Sequence, residues 1–156
     1  MKNKVYIRDK GKDEDWLHII ICRNPKILRL GKKMMTIKYP VVLHPQGESL
    51  DAVLKDCDNN TYVIGVMLGG SDPSHIICSI EYWNEERKRH PQRQHFCVLV
   101  AEAFDRRYLN VIHLMSLNIP IIAIRADLIK TENGEDILNF TKIIDARQNT
   151  PRYDEN

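Results

Sequence analysis

The stretch LDAVLKDCDNNTYVIGVMLGG, residues 50–70, decides how the chain folds. Two runs suited to strands, LDAVLKD and TYVIGVML, flank the polar turn CDNN. The Asp and Asn residues of that turn tolerate the left-handed backbone of a tight connection, so the segment reads as a β-hairpin. Its second arm is apolar at nearly every position from Tyr62 to Leu68, the pattern of a central strand covered on both faces.

Working outward, the N-terminal side offers a helix from about Asp13 to Cys22. Trp16, Leu17, Ile20 and Ile21 fall at helical spacing, acids fill the first turn and Asn24-Pro25 stops it. MMTIKYPVVL then reads as a strand that Pro40 confines to a short or edge position. On the C-terminal side, Gly69-Gly70-Ser71-Asp72-Pro73 supplies a loop, an N-cap and a proline for the first helical turn. The helix expected from Pro73 to Lys88 carries Ile76, Ile77, Ile80 and Trp83 or Asn84 inward. FCVLVA reads as a buried strand, and Asp105 caps a helix to about Leu117 with Leu109, Ile112 and Met115 inward. Pro120–Ile124 and ILNFTKIID read as further strands, and NTPRYDEN as a frayed tail. Alternation of strand and helix from Tyr62 to Ile124 implies an α/β sheet flanked by helices on both faces.

At 156 residues and 43% apolar composition the chain has the size of one domain, expected over 1–150 with a polar tail at 151–156. The longest uninterrupted apolar run, Phe96–Ala101, is far too short to span a bilayer, and the basic start has no apolar leader. Cys22, Cys57, Cys78 and Cys97 are widely spaced, wrong for a zinc knuckle and unconvincing as a disulfide framework. These features read as a cytoplasmic protein with reduced thiols. The net charge of +2 hides an asymmetry. Residues 1–40 hold eleven Lys or Arg against four acids, +7, and the remainder is −5.

The resulting αβββαβ order resembles the restriction-endonuclease-like core, a mixed central sheet flanked by helices, of the PD-(D/E)XK nuclease superfamily. Members place an Asp near the start of the second core strand and an E-x-K or E-x-Q triplet near the end of the third. Asp51 stands at the first position; Gly65-Val66-Met67 stands at the triplet, with Gly for the metal-binding Glu and Met for the Lys or Gln. SHIICSIEYWNEERKRHPQRQHFCVLVAE and YLNVIHLMSLNIPIIAI resemble the helix–strand–helix–strand half of bacterial members. EDWLHIIICRNPKIL resembles their first helix, where a Glu often approaches the metal; Glu14 is the candidate here. The resemblance covers residues 13–125 and implies action on nucleic acid, DNA foremost, with Mg²⁺ or Mn²⁺ as cofactor if the chain is active.

Phosphodiester hydrolysis needs an activated water and neutralised phosphate oxygens, work given to divalent ions held by convergent carboxylates. Gly65 supplies no ligand, and the Met67 thioether cannot donate to a phosphate or orient a water. A carboxylate from the next helix could replace the missing one, making Asp51 and Glu81 the candidate metal ligands. Tyr82 resembles a helix tyrosine of several superfamily branches, His75 stands near the same helix start, and Glu102 could line the cleft or cap a turn. Against these roles stand plainer ones: a solvated helix acid for Glu81, packing for Tyr82, a polar strand start for Asp51.

Candidate phosphate contacts are Arg23, Lys26, Arg29, Lys32 and Lys33 in the first connector, expected near the mouth of the Asp51 cleft, and Arg87 and Lys88 after the second helix, with Arg89 and Arg93 beyond. No G-x-G-x-x-G, P-loop, G-x-S-x-G or H-E-x-x-H is present, so dinucleotide, P-loop, serine-hydrolase and zinc chemistry lack support. Two functions stay open. One is a nuclease-like protein that binds or acts on nucleic acid with weak or lost hydrolysis. The other is a structural or protein-interaction module on the same fold, with a second copy or another protein as partner and no membrane.

Overall fold

The computed structural model describes residues 4–42, 50–70 and 72–148, so the tail expected over 151–156 lies outside the described residues. The strands are β1 (Lys4–Val5), β2 (Met35–Val42), β3 (Leu50–Lys55), β4 (Thr61–Met67), β5 (His95–Ala101), β6 (Ile121–Lys130) and β7 (Asp136–Asp145). The α-helices are α1 (Glu14–Arg23), α2 (Pro73–Arg89) and α3 (Arg106–Met115). One mixed sheet runs β1-β6-β5-β4-β3-β2, with β7 paired to β6. β4, β5 and β6 are mutually parallel, and β2, β3 and β4 form an antiparallel meander, which is the αβββαβ arrangement expected.

The β3–β4 register is fixed at its turn. Asp56 Oδ1 accepts from the N–H groups of Asp58 (2.9 Å) and Asn60 (3.0 Å), while Oδ2 accepts from Asn60 Nδ2 (3.0 Å) and Tyr62 OH (2.9 Å). Asn59 takes the left-handed conformation there, φ 63°. Pairing then runs Lys55↔Thr61 to Asp51↔Gly65. β2 lies at the sheet edge, as Pro40 requires, and its register slips between Lys38 and Val41 around that proline. β6 runs to Lys130 rather than ending at Ile124, because β7 pairs with it from Ile122↔Asp145 to Lys130↔Asp136.

Side chains alternate between the sheet faces, giving two cores. α1, capped by Asp13 accepting from Trp16 N (2.9 Å), lays Leu17 and Ile21 on a face built from Ala52, Leu54, Ile64, Val66, Val98, Val100 and Ile122. α2 and α3 cover the other face over Val53, Val63, Met67, Cys97 and Leu99. The inward stripe of α2 departs from expectation: Ile76, Ser79, Tyr82, Trp83 and Glu86 are buried, and Ile77 is 57% exposed. Ile80 packs partly buried at the edge of this core as expected, and with Ile77 it lines a groove toward Val111, Ile112 and Met115 of α3.

Glu102, at the end of β5, is fully buried and serves as a tie. Its Oε1 accepts from Gly69 N (2.9 Å) and its Oε2 from Ile7 N (2.8 Å), joining the loop after β4 to the N-terminal segment. Glu102→Gln turns one oxygen into a donor facing an N–H, so it should lower stability by about 2–3 kcal/mol. Urea denaturation checks this; an unchanged midpoint would show that the two backbone amides find other acceptors.

Candidate functional site

β3 begins with Asp51 pointing to the α2 face, opposite Gly65 on β4. Its carboxyl is 3% exposed, and neither oxygen has a hydrogen-bond partner. Ser79, fully buried on α2, brings its hydroxyl beside the carboxyl without the geometry of a formed hydrogen bond. Burial pushes the Asp51 carboxyl up to about 7, opposed weakly by the Ser79 hydroxyl. The Cys97 thiol on β5 is also pushed up, by burial first and then by the Asp51 charge, which places Cys97 in the same apolar chamber.

Gly65 is a close-approach glycine. A Cβ there would fall on the Ser79 Oγ, far inside any allowed contact, and would stand 3.2 Å from Ser79 Cβ and 3.4 Å from Asp51 Oδ1. The space from which a β4 ligand side chain would start is therefore occupied by the α2 serine. Met67, at the other triplet position, is 2% exposed, and its sulfur accepts from Asp72 N (3.4 Å), making it a core residue that steadies the loop before α2.

The remaining carboxylate candidates are dispersed, whereas Tyr82 is near enough for the Asp51 charge to add to the burial and Glu86 contact that raise its phenol. Glu81 is exposed on α2, so the α2 side chain brought to Asp51 is Ser79 and not Glu81. Glu14 pairs with Arg8 at the start of α1 and faces His75, whose ring is held below its usual range by burial, with Asp72 and Glu14 opposing. Tyr82 is buried and donates to Glu86 Oε1 (2.9 Å), the atom that also holds Lys38 Nζ (3.0 Å). Burial raises the Glu86 carboxyl, but the Lys38 and Tyr82 hydrogen bonds outweigh it and leave the group below its usual range.

The backbone of the first basic connector at Leu30 and Lys32 lies at the hairpin turn and not at the Asp51 end, contrary to expectation, while the Arg29 guanidinium reaches away from that turn to Phe140 C=O on β7 (2.8 Å). Lys32 C=O accepts from Cys57 N (2.9 Å) and Leu30 C=O from Tyr62 OH (3.3 Å), which anchors the connector at the hairpin turn, five residues and about 16 Å along β3 from Asp51. Arg87 and Lys88, in the last turn of α2, lie at that same end. Trp83 Nε1 donates to His95 C=O (2.9 Å) at the start of β5, and Thr61 N to Gln94 C=O (2.8 Å) at the start of β4. Sequence reasoning missed Ser79 and Glu86; the signal was available in their spacing three before and four after Tyr82.

The donor set does not fit a divalent ion. Among the described residues no three His, Cys, Asp or Glu side chains gather as metal ligands, and Asp51 meets a hydroxyl, a thiol and a glycine rather than a second carboxylate.

No protein-family model and no curated protein matches the chain. Solved structures do. The apo form of EndoMS is similar over 66% of this chain and 43% of that one, with TM-score 0.56 and 14% identity. A repair endonuclease from Pyrococcus abyssi gives 0.51 and 15% over the same shares, and an EndoMS–dsDNA complex 0.51 and 14% over 65% and 41%. The chain spans less than half the length of these structures. The likeness shows that the chain has the endonuclease-like fold of these structures, a mixed sheet flanked by helices.

Two outcomes follow from the Asp51 chamber. The unfolded carboxyl titrates near ~3.9, the folded one near 7. Between these values the folded state keeps a proton that the unfolded state has released, so stability falls as pH rises through this window and stays lowered above it. Asp51→Asn should therefore stabilise the protein at pH 8 by on the order of 2–4 kcal/mol and by much less at pH 4. Urea midpoints at the two pH values test it, and an equal effect at both would show that burial is not what raises the group.

Gly65→Ala should cost about 2–3 kcal/mol by overpacking, and Ser79→Ala in the same chain should restore most of it. A double-mutant cycle with no coupling would break the steric link between β4 and α2.

Proposed function

We propose that the chain is a nucleic-acid-binding protein, DNA its leading ligand, on a nuclease fold whose Mg²⁺-dependent hydrolysis has been lost. The observation that carries this reading is the Ser79 hydroxyl filling the β4 ligand position opposite Asp51. Loss of a ligand alone would leave an open site that a neighbouring carboxylate could repair. Here the α2 serine stands in the gap, Glu81 is an exposed residue of α2, and burial raises the carboxyl at Asp51 to about 7. Glu14 and Tyr82 are engaged by Arg8 and Glu86. Simply adding back Gly65→Glu and Met67→Lys meets the same serine, so a restored metal site also needs Ser79 removed.

Binding has independent support. Arg23, Lys26, Arg29, Lys32 and Lys33 are all exposed, as are Arg87 and Lys88, and the connector and the end of α2 share the hairpin-turn end of the sheet. Such a cluster suits the phosphate backbone, whose counterions it would release. One of the similar structures is a complex with double-stranded DNA. Four free cysteines fit the cytoplasmic setting proposed for such a protein, and no described helix is long and apolar enough to cross a membrane.

A second reading, a protein-interaction module, is favoured by one feature. Ile77, Val111, Leu114 and Leu117 are 57%, 47%, 63% and 65% exposed around the α2–α3 groove, the kind of apolar patch that a second copy or another protein covers.

Gel-shift titration across salt separates the readings. The protein should retard duplex DNA with a salt-dependent affinity, and replacing Arg23, Lys26, Arg29, Lys32 and Lys33 by Gln should weaken it by about tenfold or more at low salt and flatten the slope. Supercoiled plasmid with Mg²⁺ or Mn²⁺ should stay intact. Cutting that Glu81→Ala abolishes would reverse the proposal, and salt-independent or absent retardation would favour the interaction module.

A further inference from the structure

A cavity of about 410 Å³ opens at the hairpin-turn end, between the last turns of α2, the loop into β5 and the loop into β6. That volume lies in the range of small-ligand sites. Its walls are rigid. Trp83 Nε1 is bonded to His95 C=O (2.9 Å), Gln94 C=O receives Thr61 N (2.8 Å), and Pro120 C=O receives Cys97 N (2.9 Å), so each loop is pinned to the sheet beside the opening.

The polar groups converge with one sign. Arg87 and Arg93 both line the cavity, and no carboxylate does. Arg87 lies over the Trp83 ring at 5.0 Å, and its Nε donates to Asn84 Oδ1 (2.9 Å), which fixes the guanidinium and leaves its terminal nitrogens as donors. Neither arginine has a carboxylate within ion-pairing distance among the described residues. His95, 3% exposed, completes the lining. Its Nδ1 meets Arg93 C=O at 2.9 Å and its Nε2 has no partner. Burial holds the ring below its usual range, so it is neutral; facing a carbonyl, Nδ1 carries the proton and Nε2 is an acceptor. Two uncompensated guanidinium groups ask for a dianion, and the amides of Gln94 and Asn118 add donors and acceptors for a polar neighbour of that anion.

We infer that this cavity binds the phosphate monoester of a nucleotide, held by Arg87 and Arg93, with Asn118 and Gln94 available to the attached sugar. The inference rests on the nucleic-acid reading for the identity of the ligand; the cavity and its charge do not. A phosphate monoester carries close to two negative charges at neutral pH and offers three acceptor oxygens, whereas an internal phosphodiester carries one charge. The pocket is thereby suited to a strand end, or to a free mononucleotide, more than to the middle of a strand.

The test is calorimetry on the full chain with a 5′-phosphorylated single-stranded 12-mer, its 5′-hydroxyl twin, and AMP against adenosine. The phosphorylated strand should bind about tenfold or more tightly than its twin, and AMP more tightly than adenosine. Arg93→Gln and Arg87→Gln should each erase that preference, while Arg106→Gln, which removes the same charge from exposed α3, should keep it. Both target side chains are exposed, and thermal melting of the variants checks that the fold is kept. Preference for the strand over AMP assigns the site to strand ends; AMP bound as tightly as the strand assigns it to free nucleotide. AMP bound while neither strand binds at low salt would leave the pocket standing and sink the nucleic-acid reading. No preference for the phosphorylated ligands, or a preference that survives in the Arg87→Gln/Arg93→Gln variant, would overturn the inference.

Discussion

The Asp56 side chain holds the architecture in register. By accepting four hydrogen bonds from Asp58, Asn60 and Tyr62, it closes the β3–β4 turn in one conformation, and the period-two alternation of a strand does the rest. A slip of β3 by one residue against β4 would send Val53 to the α1 face and Ala52 and Leu54 to the α2 face, out of the cores they now fill. The same turn receives the first connector through Cys57 N–H and Lys32 C=O. Gly31 passes so close to Asp56 that a Cβ there would lie 2.9 Å from the Asp56 Cβ, so the connector's path and the hairpin's register are set together.

With the register fixed, Asp51 has to face the α2 chamber, and that placement is costly. A carboxyl enclosed by Ser79, Cys97 and the apolar face of the sheet, with no hydrogen-bond partner, is a group a purely structural strand start would not require. The other positions at this end are accommodated: Gly65 admits the serine, Met67 has joined the core, and Glu102 spends both oxygens on backbone amides. What remains is one buried acid without a hydrogen-bond partner among the described residues, a group that can take or release a proton.

The phosphate-binding surface proposed above lies toward the opposite end of the sheet. The connector cations, the last turn of α2 and the two-arginine cavity gather around the hairpin turn, where the helix C-terminus of α2 already favours positive charge. The lateral face between α2 and α3, with its exposed apolar side chains, is a third surface distinct from both.

The sequence by itself determined the order of elements, the hairpin and its turn, the Asp51↔Gly65 pairing and the absence of the ligand triplet. Each of these depends on neighbours close in the chain or on a two-residue alternation. It also placed two helix caps, since Asp72 and Asp105 each act on an amide two residues ahead, whereas Asp13, read as the first residue of its helix, is the cap. Only the tertiary structure decided what stands against Gly65, because the reach of Ser79 depends on the rotation of α2 over the sheet. That rotation is held by contacts to other elements, Trp83 Nε1 to His95 C=O and Glu86 to Lys38, and it leaves Ile77 outside the core while Ile80 packs on its edge. It likewise decided which end of the molecule carries the charge. Arg29 and Arg93 are 64 residues apart in sequence, and only the sheet, through Cys57 and Thr61, brings their segments to one end.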